Sequence, residues 1–200
     1  RILYDNYLID RSKINLFPFQ SDSGLFYQTG RKEINSNPDN ISMILRKDDI
    51  DSLILKYNED SNFDINSNVK DSTFETCEII EQINYLCYCA FYGSTKCFDF
   101  LISNKAKYTS DLVLFAVAGG NVHIIHQCEY IGLDFRRNEV LFMAIQYHQN
   151  DVCDWLIETK FNDDIDFIQL ENVCLNYCNF ERFVKFVEKG VLSFYFFKFI

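Results

Sequence analysis

One short pattern recurs three times between residues 85 and 157 and constrains this sequence more than any other feature. Each copy has small or apolar residues, two variable positions and a turn residue, which is Gly93, Gly120 or His148. The turn residues are 27 and 28 positions apart. Because a period of this length is typical of stacked helical units, we predict an array of helix pairs and not one closed core.

Apolar residues follow each turn residue at offsets of four, five and eight. Such spacing gives one apolar face to a helix that follows the turn, and the small residues before the turn let two helices approach closely. Each copy therefore predicts a helix–turn–helix unit that buries its apolar face by stacking on its neighbours. The apolar residues are Cys97, Phe98 and Leu101 in the first copy, Ile124, Ile125 and Cys128 in the second, and Val152, Cys153 and Leu156 in the third.

Two weaker copies flank these three. The earlier one turns at 46–48, and the later one has an asparagine in place of the turn glycine, since asparagine tolerates the left-handed backbone conformation. Their predicted apolar positions are Ile50 and Ile54 in the first, and Phe183, Val184 and Val187, after the turn residue Asn179, in the last.

These copies predict an all-α domain over residues 41–200. A mostly irregular arm over residues 1–40 precedes it, contains both prolines and is expected to cover the first helix pair. The predicted units span approximately 41–57, 84–109, 110–137, 138–165 and 168–190, with a partial unit at 191–200.

The copies resemble ankyrin repeats. Ala90, Gly93, Cys97-Phe98 and Leu101-Ile102 stand where that family has its second alanine, its turn glycine, its Ile-Val pair and its Leu-Leu pair. The runs at 44–51, 72–77 and 89–94 further resemble a large, divergent group of ankyrin-type proteins of unknown function from parasitic protists. The Thr-Pro-Leu-His opening is replaced by Asn84-Tyr85-Leu86-Cys87, and the period is shorter than the usual length of about 33. The resemblance implies an ankyrin-like helix-turn-helix solenoid that binds proteins.

Composition narrows the choice of partner and compartment. The net charge of −10 and the isoelectric point near 4.7 disfavour nucleic acid and anionic lipid as partners. No window reaches the roughly 18 apolar residues of a membrane-spanning helix. Most of the eight cysteines stand at periodic apolar positions, where a reduced thiol serves as a small hydrophobe. We therefore expect a soluble, cytoplasmic protein with reduced thiols.

Several residues could carry chemistry, but none belongs to a complete set. His123 and His126 are three apart on a predicted helix and could share a metal ion, as the centre of a metal-dependent enzyme, yet no further ligand follows at a fixed spacing. The same holds for Cys174 and Cys178. The sequence contains no Gly-rich phosphate loop and no nucleophile motif. We therefore expect a protein that is not an enzyme and that needs no cofactor or metal.

The variable positions before each turn residue are the more promising sites. In the family that this chain resembles, such positions line the concave face that touches the partner, and aromatic residues are enriched at the centres of interfaces. The alternative is that these aromatics fill the packing between units. The candidate groove residues are Phe91, Tyr92, Gln146, Tyr147 and Tyr177, with Lys107, Tyr108, Phe135 and Arg136 in the loops at its rim.

These observations predict a non-enzymatic module that binds a protein partner in this groove. The alternative function is a regulatory or substrate-recruiting domain of a larger enzyme or effector, whose active part lies outside residues 1–200.

Overall fold

The computed structural model describes residues 39–70, 83–161, 165 and 167–188. The predicted arm, the run at 72–77 and the partial unit at 191–200 lie outside the described residues. Ten α-helices occur within the described ranges, together with one isolated antiparallel bridge between Asn68 and Asn84. The helices are α1 (Asn40–Arg46), α2 (Ile50–Glu59), α3 (Tyr85–Tyr92), α4 (Thr95–Ser103), α5 (Leu112–Gly119), α6 (Val122–Tyr130), α7 (Asn138–Gln146), α8 (Asn150–Thr159), α9 (Phe167–Asn176) and α10 (Phe180–Glu188). The prediction of an all-α protein is confirmed over this part of the chain.

The helices form five pairs, and a residue with positive φ lies inside each connection. These five residues are Asp48, Gly93, Gly120, His148 and Cys178. A left-handed residue ends the first helix of a pair, and the next residue precedes the second helix. Gly93, Gly120 and His148 therefore occupy the turn position that the sequence predicts.

The pairs are arranged in two layers. The first helices, α1, α3, α5, α7 and α9, pack against one another in the order of the chain, and the second helices α2, α4 and α6 do the same. Every residue of α3 and most residues of α5 are buried. A helix that is apolar on all sides must be covered on all sides, and α3 and α5 lie in the middle of the first layer.

The second helices are amphipathic and bury the predicted face in the three central pairs. Every residue at offsets four, five and eight is at most 8% exposed in α4, α6 and α8, so this prediction is confirmed. The buried residues are Cys97, Phe98, Leu101, Ile124, Ile125, Cys128, Val152, Cys153 and Leu156.

The predicted register of the last pair is wrong by one residue. Cys178, and not Asn179, adopts the positive φ, so the buried positions shift to Arg182 and Phe186. Val184 and Val187, which the sequence analysis places in the stripe, are 47% and 41% exposed. The error arises because Asn is the more usual residue at such a turn, whereas here its side chain is used elsewhere.

The predicted register of the first pair is also wrong. With Asp48 at the turn, Leu53 occupies the buried position of α2 and is fully buried. Ile54, which was predicted to face the core, is 37% exposed.

The first helices α3 and α5 approach one another closely at Gly119. A Cβ atom added there would lie 2.2 Å from the carbonyl oxygen of Ala90 and 2.9 Å from that of Phe91. Only glycine lets the backbone of α5 reach the end of α3. The small residues before the turn therefore perform the role that the sequence analysis gives them, which is to allow a close approach between helices.

Polar side chains join the successive turns. Ser94 Oγ donates to the carbonyl of Arg46 at 3.5 Å, and Gln149 Nε2 donates to that of Ala118 at 3.1 Å. Asn179 Nδ2 donates in the same way to the carbonyl of Ile145 at 2.9 Å. Each donor is the residue that follows a turn residue, and each acceptor is in the last turn of the preceding first helix. The turns therefore lie along one edge, and the first helices run in the same direction.

Gly119→Ala should destabilise the protein by about 2–3 kcal/mol, because the new methyl group forces α3 and α5 apart. Gly132→Ala is the matched control: its Cβ meets nothing within 4 Å, and only its positive φ of 81° adds a cost of about 1–2 kcal/mol. The urea midpoint of Gly119→Ala should therefore be lower than that of Gly132→Ala. A smaller loss for Gly119→Ala than for Gly132→Ala would contradict the close packing.

Leu53→Ala and Ile54→Ala test the register of the first pair. Leu53 is fully buried, so its truncation should cost about 2–5 kcal/mol. Ile54→Ala should cost less than about 1 kcal/mol, because its side chain already meets water. The free energies of unfolding of both variants are measured by chemical denaturation. A larger loss for Ile54→Ala than for Leu53→Ala would contradict the register of the structure and support the one predicted from sequence.

Candidate functional site

Two of the predicted groove residues are interior. Phe91 is 3% and Tyr92 is 8% exposed. The ring of Phe91 packs edge-on against that of Tyr147 with centroids 5.5 Å apart, and the rings of Tyr88 and Tyr92 are 4.7 Å apart. For Phe91 and Tyr92 the structure therefore favours the alternative that the aromatics fill the packing between pairs.

The other predicted groove residues reach the surface. Gln146 and Tyr147 are partly exposed at the end of α7, and Tyr177 is 44% exposed after α9. His148 Nε2 lies 3.1 Å from the carbonyl oxygen of Tyr177, which accepts its hydrogen bond. This bond joins the turn after α7 to the turn after α9.

The predicted rim residues divide in the same way. Lys107 and Arg136 are exposed, and Tyr108 is 43% exposed. Phe135 is only 2% exposed, and its ring packs edge-on against Trp155 at 5.5 Å. Phe135 therefore anchors its loop from the inside and presents no surface at a rim.

The structure adds partly exposed apolar residues that the sequence analysis missed. Phe142 and Met143 each lie one helical turn before Gln146 and Tyr147, and Val173 lies one turn before Tyr177. Residues four apart share a helix face. We name this surface the first-helix face, and it consists of Leu114 and Phe115 on α5, Phe142, Met143, Gln146 and Tyr147 at α7, and Val173 and Tyr177 at α9. The i, i+4 spacing before the turn was the signal available in the sequence.

The two histidines of α6 interact with different carboxylates. His123 Nε2 lies 2.9 Å from both oxygens of Asp99 on α4, and His126 Nδ1 lies 3.2 Å from Glu129. Lys160 also donates to Glu129, and this hydrogen bond is the main cause that lowers the pKa of Glu129. In the described ranges, no three His, Cys, Asp or Glu side chains come together as they would around a metal ion.

Cysteines occupy the core as neutral thiols. Burial raises the pKa of Cys87, Cys97, Cys128 and Cys174 to about 12, and that of Cys153 to about 11. Cys89 is fully buried, and its pKa is also raised. A thiol that stays protonated is a poor nucleophile and a poor metal ligand, so these residues act as packing groups. Cys178 is partly exposed.

Comparisons with known proteins concern less than half of the chain. Residues 104–186 match a family model described as "Domain of unknown function (DUF3447)". The matched stretch begins just after α4 and ends within α10, so it contains the five helices α5 to α9 and most of α10. No curated protein matches the chain, and no solved structure matches it. Within the described part of the chain, no helix has the length and apolar character needed to cross a bilayer.

The buried thiols predict a loss of stability at alkaline pH. In the unfolded chain they ionise near pH 9, whereas in the folded chain they stay protonated up to about pH 11 or 12. Above pH 9 the folded state therefore holds more protons, and stability falls as the pH rises, by up to about 1.4 kcal/mol per pH unit for each thiol.

Urea midpoints at pH 7, 9 and 10.5 measure this effect. Tyrosine and lysine also titrate in this range, so Cys128→Val provides the matched control, because it removes one buried thiol and keeps an apolar side chain. The variant should show a shallower alkaline loss than the wild type. Equal slopes for the two proteins would contradict the shifted pKa of Cys128.

Proposed function

We propose that this chain is a non-enzymatic protein-interaction module whose first-helix face receives a protein partner. The observation that carries the proposal is the recurrence of partly exposed apolar and aromatic side chains at equivalent positions on α5, α7 and α9. Interfaces combine such groups at the centre with polar groups at the rim. Lys107, Tyr108 and Arg136, in the loops that lead into α5 and α7, provide that rim.

The architecture that we propose is an ankyrin-like solenoid. Three features support it: the helix pairs pack in the order of the chain, the turns lie along one edge, and the turn residues recur every 27–30 positions between Gly93 and Cys178. They agree with the resemblance to ankyrin repeats noted in the sequence. An elongated array of this kind binds through an extended face that many units share, and the first-helix face extends over three of them.

The net charge of the chain supports a protein as the partner, and its free cysteines support a location in the cytoplasm. With a net charge of −10, the chain is a poor match for phosphate backbones, so a protein is the partner that we propose. Free cysteines at core positions suit a reducing environment, and we place the module in the cytoplasm.

A comparison of two surfaces tests this function. Gln146→Arg with Tyr177→Ala alters the first-helix face, and both side chains are exposed enough to change without opening the core. Val122→Ala with Tyr130→Ala is the matched control on α6, where these side chains are 63% and 88% exposed. Partners are first captured with the wild-type chain from the native cell, and the affinity of each captured protein for all three chains is then measured by calorimetry.

We expect the face variant to weaken binding at least about tenfold, which corresponds to about 1.4 kcal/mol, because aromatic groups dominate interface energies. The control should bind as the wild type does. Circular dichroism and urea midpoints must show that all three are equally folded. Equal affinities for the wild type and the face variant would refute this site.

A further inference from the structure

In each of the three central pairs, the second helix uses one particular side to contact the pair that follows. Asp99 of α4 contacts His123 of α6, and Asp154 of α8 pairs with Arg182 of α10 at 2.6 Å. Both acids stand six residues after their turn residue. Glu129 of α6, nine residues after its turn residue, pairs with Lys160 at the end of α8. Position six after the turn therefore faces the following pair in α4 and α8, and position nine does so in α6.

In α10 these two positions are apolar and exposed. Val184 stands six residues after Cys178 and is 47% exposed, and Val187 stands nine residues after it and is 41% exposed. Phe180, one helical turn before Val184, is 47% exposed as well. We name these three residues the α10 stripe. By the geometry of the earlier pairs, Val184 and Val187 of this stripe face the place of a following pair, and the stripe belongs to a different surface from the first-helix face.

We propose that residues 191–200 of this chain cover the α10 stripe. Gly190 follows Cys178 by twelve residues, the same offset at which Lys105 follows Gly93 and Gly132 follows Gly120. Lys105 and Gly132 both have positive φ and lead the chain from a second helix into the next pair. In sequence, Gly190 therefore stands at the offset from which the chain leaves a second helix in two earlier pairs.

The chemistry of the segment matches the surface. Eight of the ten residues from Val191 to Ile200 are apolar or aromatic, with Ser193 and Lys198 as the exceptions. The stripe is apolar at both positions, whereas α4, α6 and α8 each have an acid at one of them, which is Asp99, Glu129 or Asp154. Burying both surfaces against each other removes apolar area from water on both sides, at about 25 cal/mol for each Å². The exposed stripe is in this view an intramolecular seam and not a site for a partner.

Substitutions in the whole chain test the seam. Val184→Asp places a charge in it, and Phe194→Asp places one on the opposing segment. We expect each to lower the urea midpoint by at least about 0.5 M. The double variant should lose less than the sum of the two single losses, because either change alone already breaks the contact. The matched control is Val122→Asp on α6. Val122 is 63% exposed, so this substitution should leave the urea midpoint unchanged.

Two results would overturn the proposal. If Val184→Asp and Val122→Asp have the same urea midpoint, the α10 stripe is exposed to water and residues 191–200 do not cover it. If sedimentation shows a mass that rises over about a hundredfold range of protein concentration, and Val184→Asp abolishes the rise, a second copy covers the stripe. If Val184→Asp fails to fold, Val184→Thr replaces it, because threonine keeps the shape of valine and exchanges one methyl group for a hydroxyl. The double variant of Val184→Thr and Phe194→Asp must then also lose less stability than the sum of the two single losses.

Discussion

The contact between the backbone of Gly119 and the carbonyl oxygens at the end of α3 sets the spacing of the first layer. The buried α3 and α5 fill the interior with apolar groups, and neutral thiols pack among them. Polar side chains at the turns, namely Ser94, Gln149 and Asn179, donate to carbonyl groups of the preceding first helix and hold successive pairs in register.

The fold could be predicted largely from the pattern around Gly93, Gly120 and His148, because small residues, a turn and an apolar stripe recur there at a nearly constant spacing. The outer pairs were less predictable. At Cys178 a non-glycine residue adopts a positive φ, and at Asp48 the turn residue is an acid whose carboxylate accepts from the backbone N–H of Cys97 at 2.9 Å. Neither conformation has a strong local signal, because neither residue is the glycine that most often adopts a positive φ.

The candidate site was predictable only in part. The location of a residue just before a turn residue indicates that it lies near the common edge of the pairs. Gln146 and Tyr147 are partly exposed there, and Tyr177 is exposed. This location does not indicate depth, which depends on neighbours that are distant in sequence. Phe91 is buried because Tyr147 covers it, and Phe135 because Trp155 stands beside its loop. An exposed aromatic and a packing aromatic look the same in a single sequence.

The ion pairs between the second helices all have the same orientation. At each of three junctions the carboxylate, from Asp99, Glu129 or Asp154, belongs to the earlier pair, and the imidazole, ammonium or guanidinium belongs to the later one. Docking two pairs in the reverse order would leave carboxylates without these partners. The order of the pairs is therefore encoded in the charges of their flanks. The three partners, His123, Lys160 and Arg182, stand three, twelve and four residues after their turn residues, so each junction has its own arrangement and a pair moved to another junction would not meet its present partner.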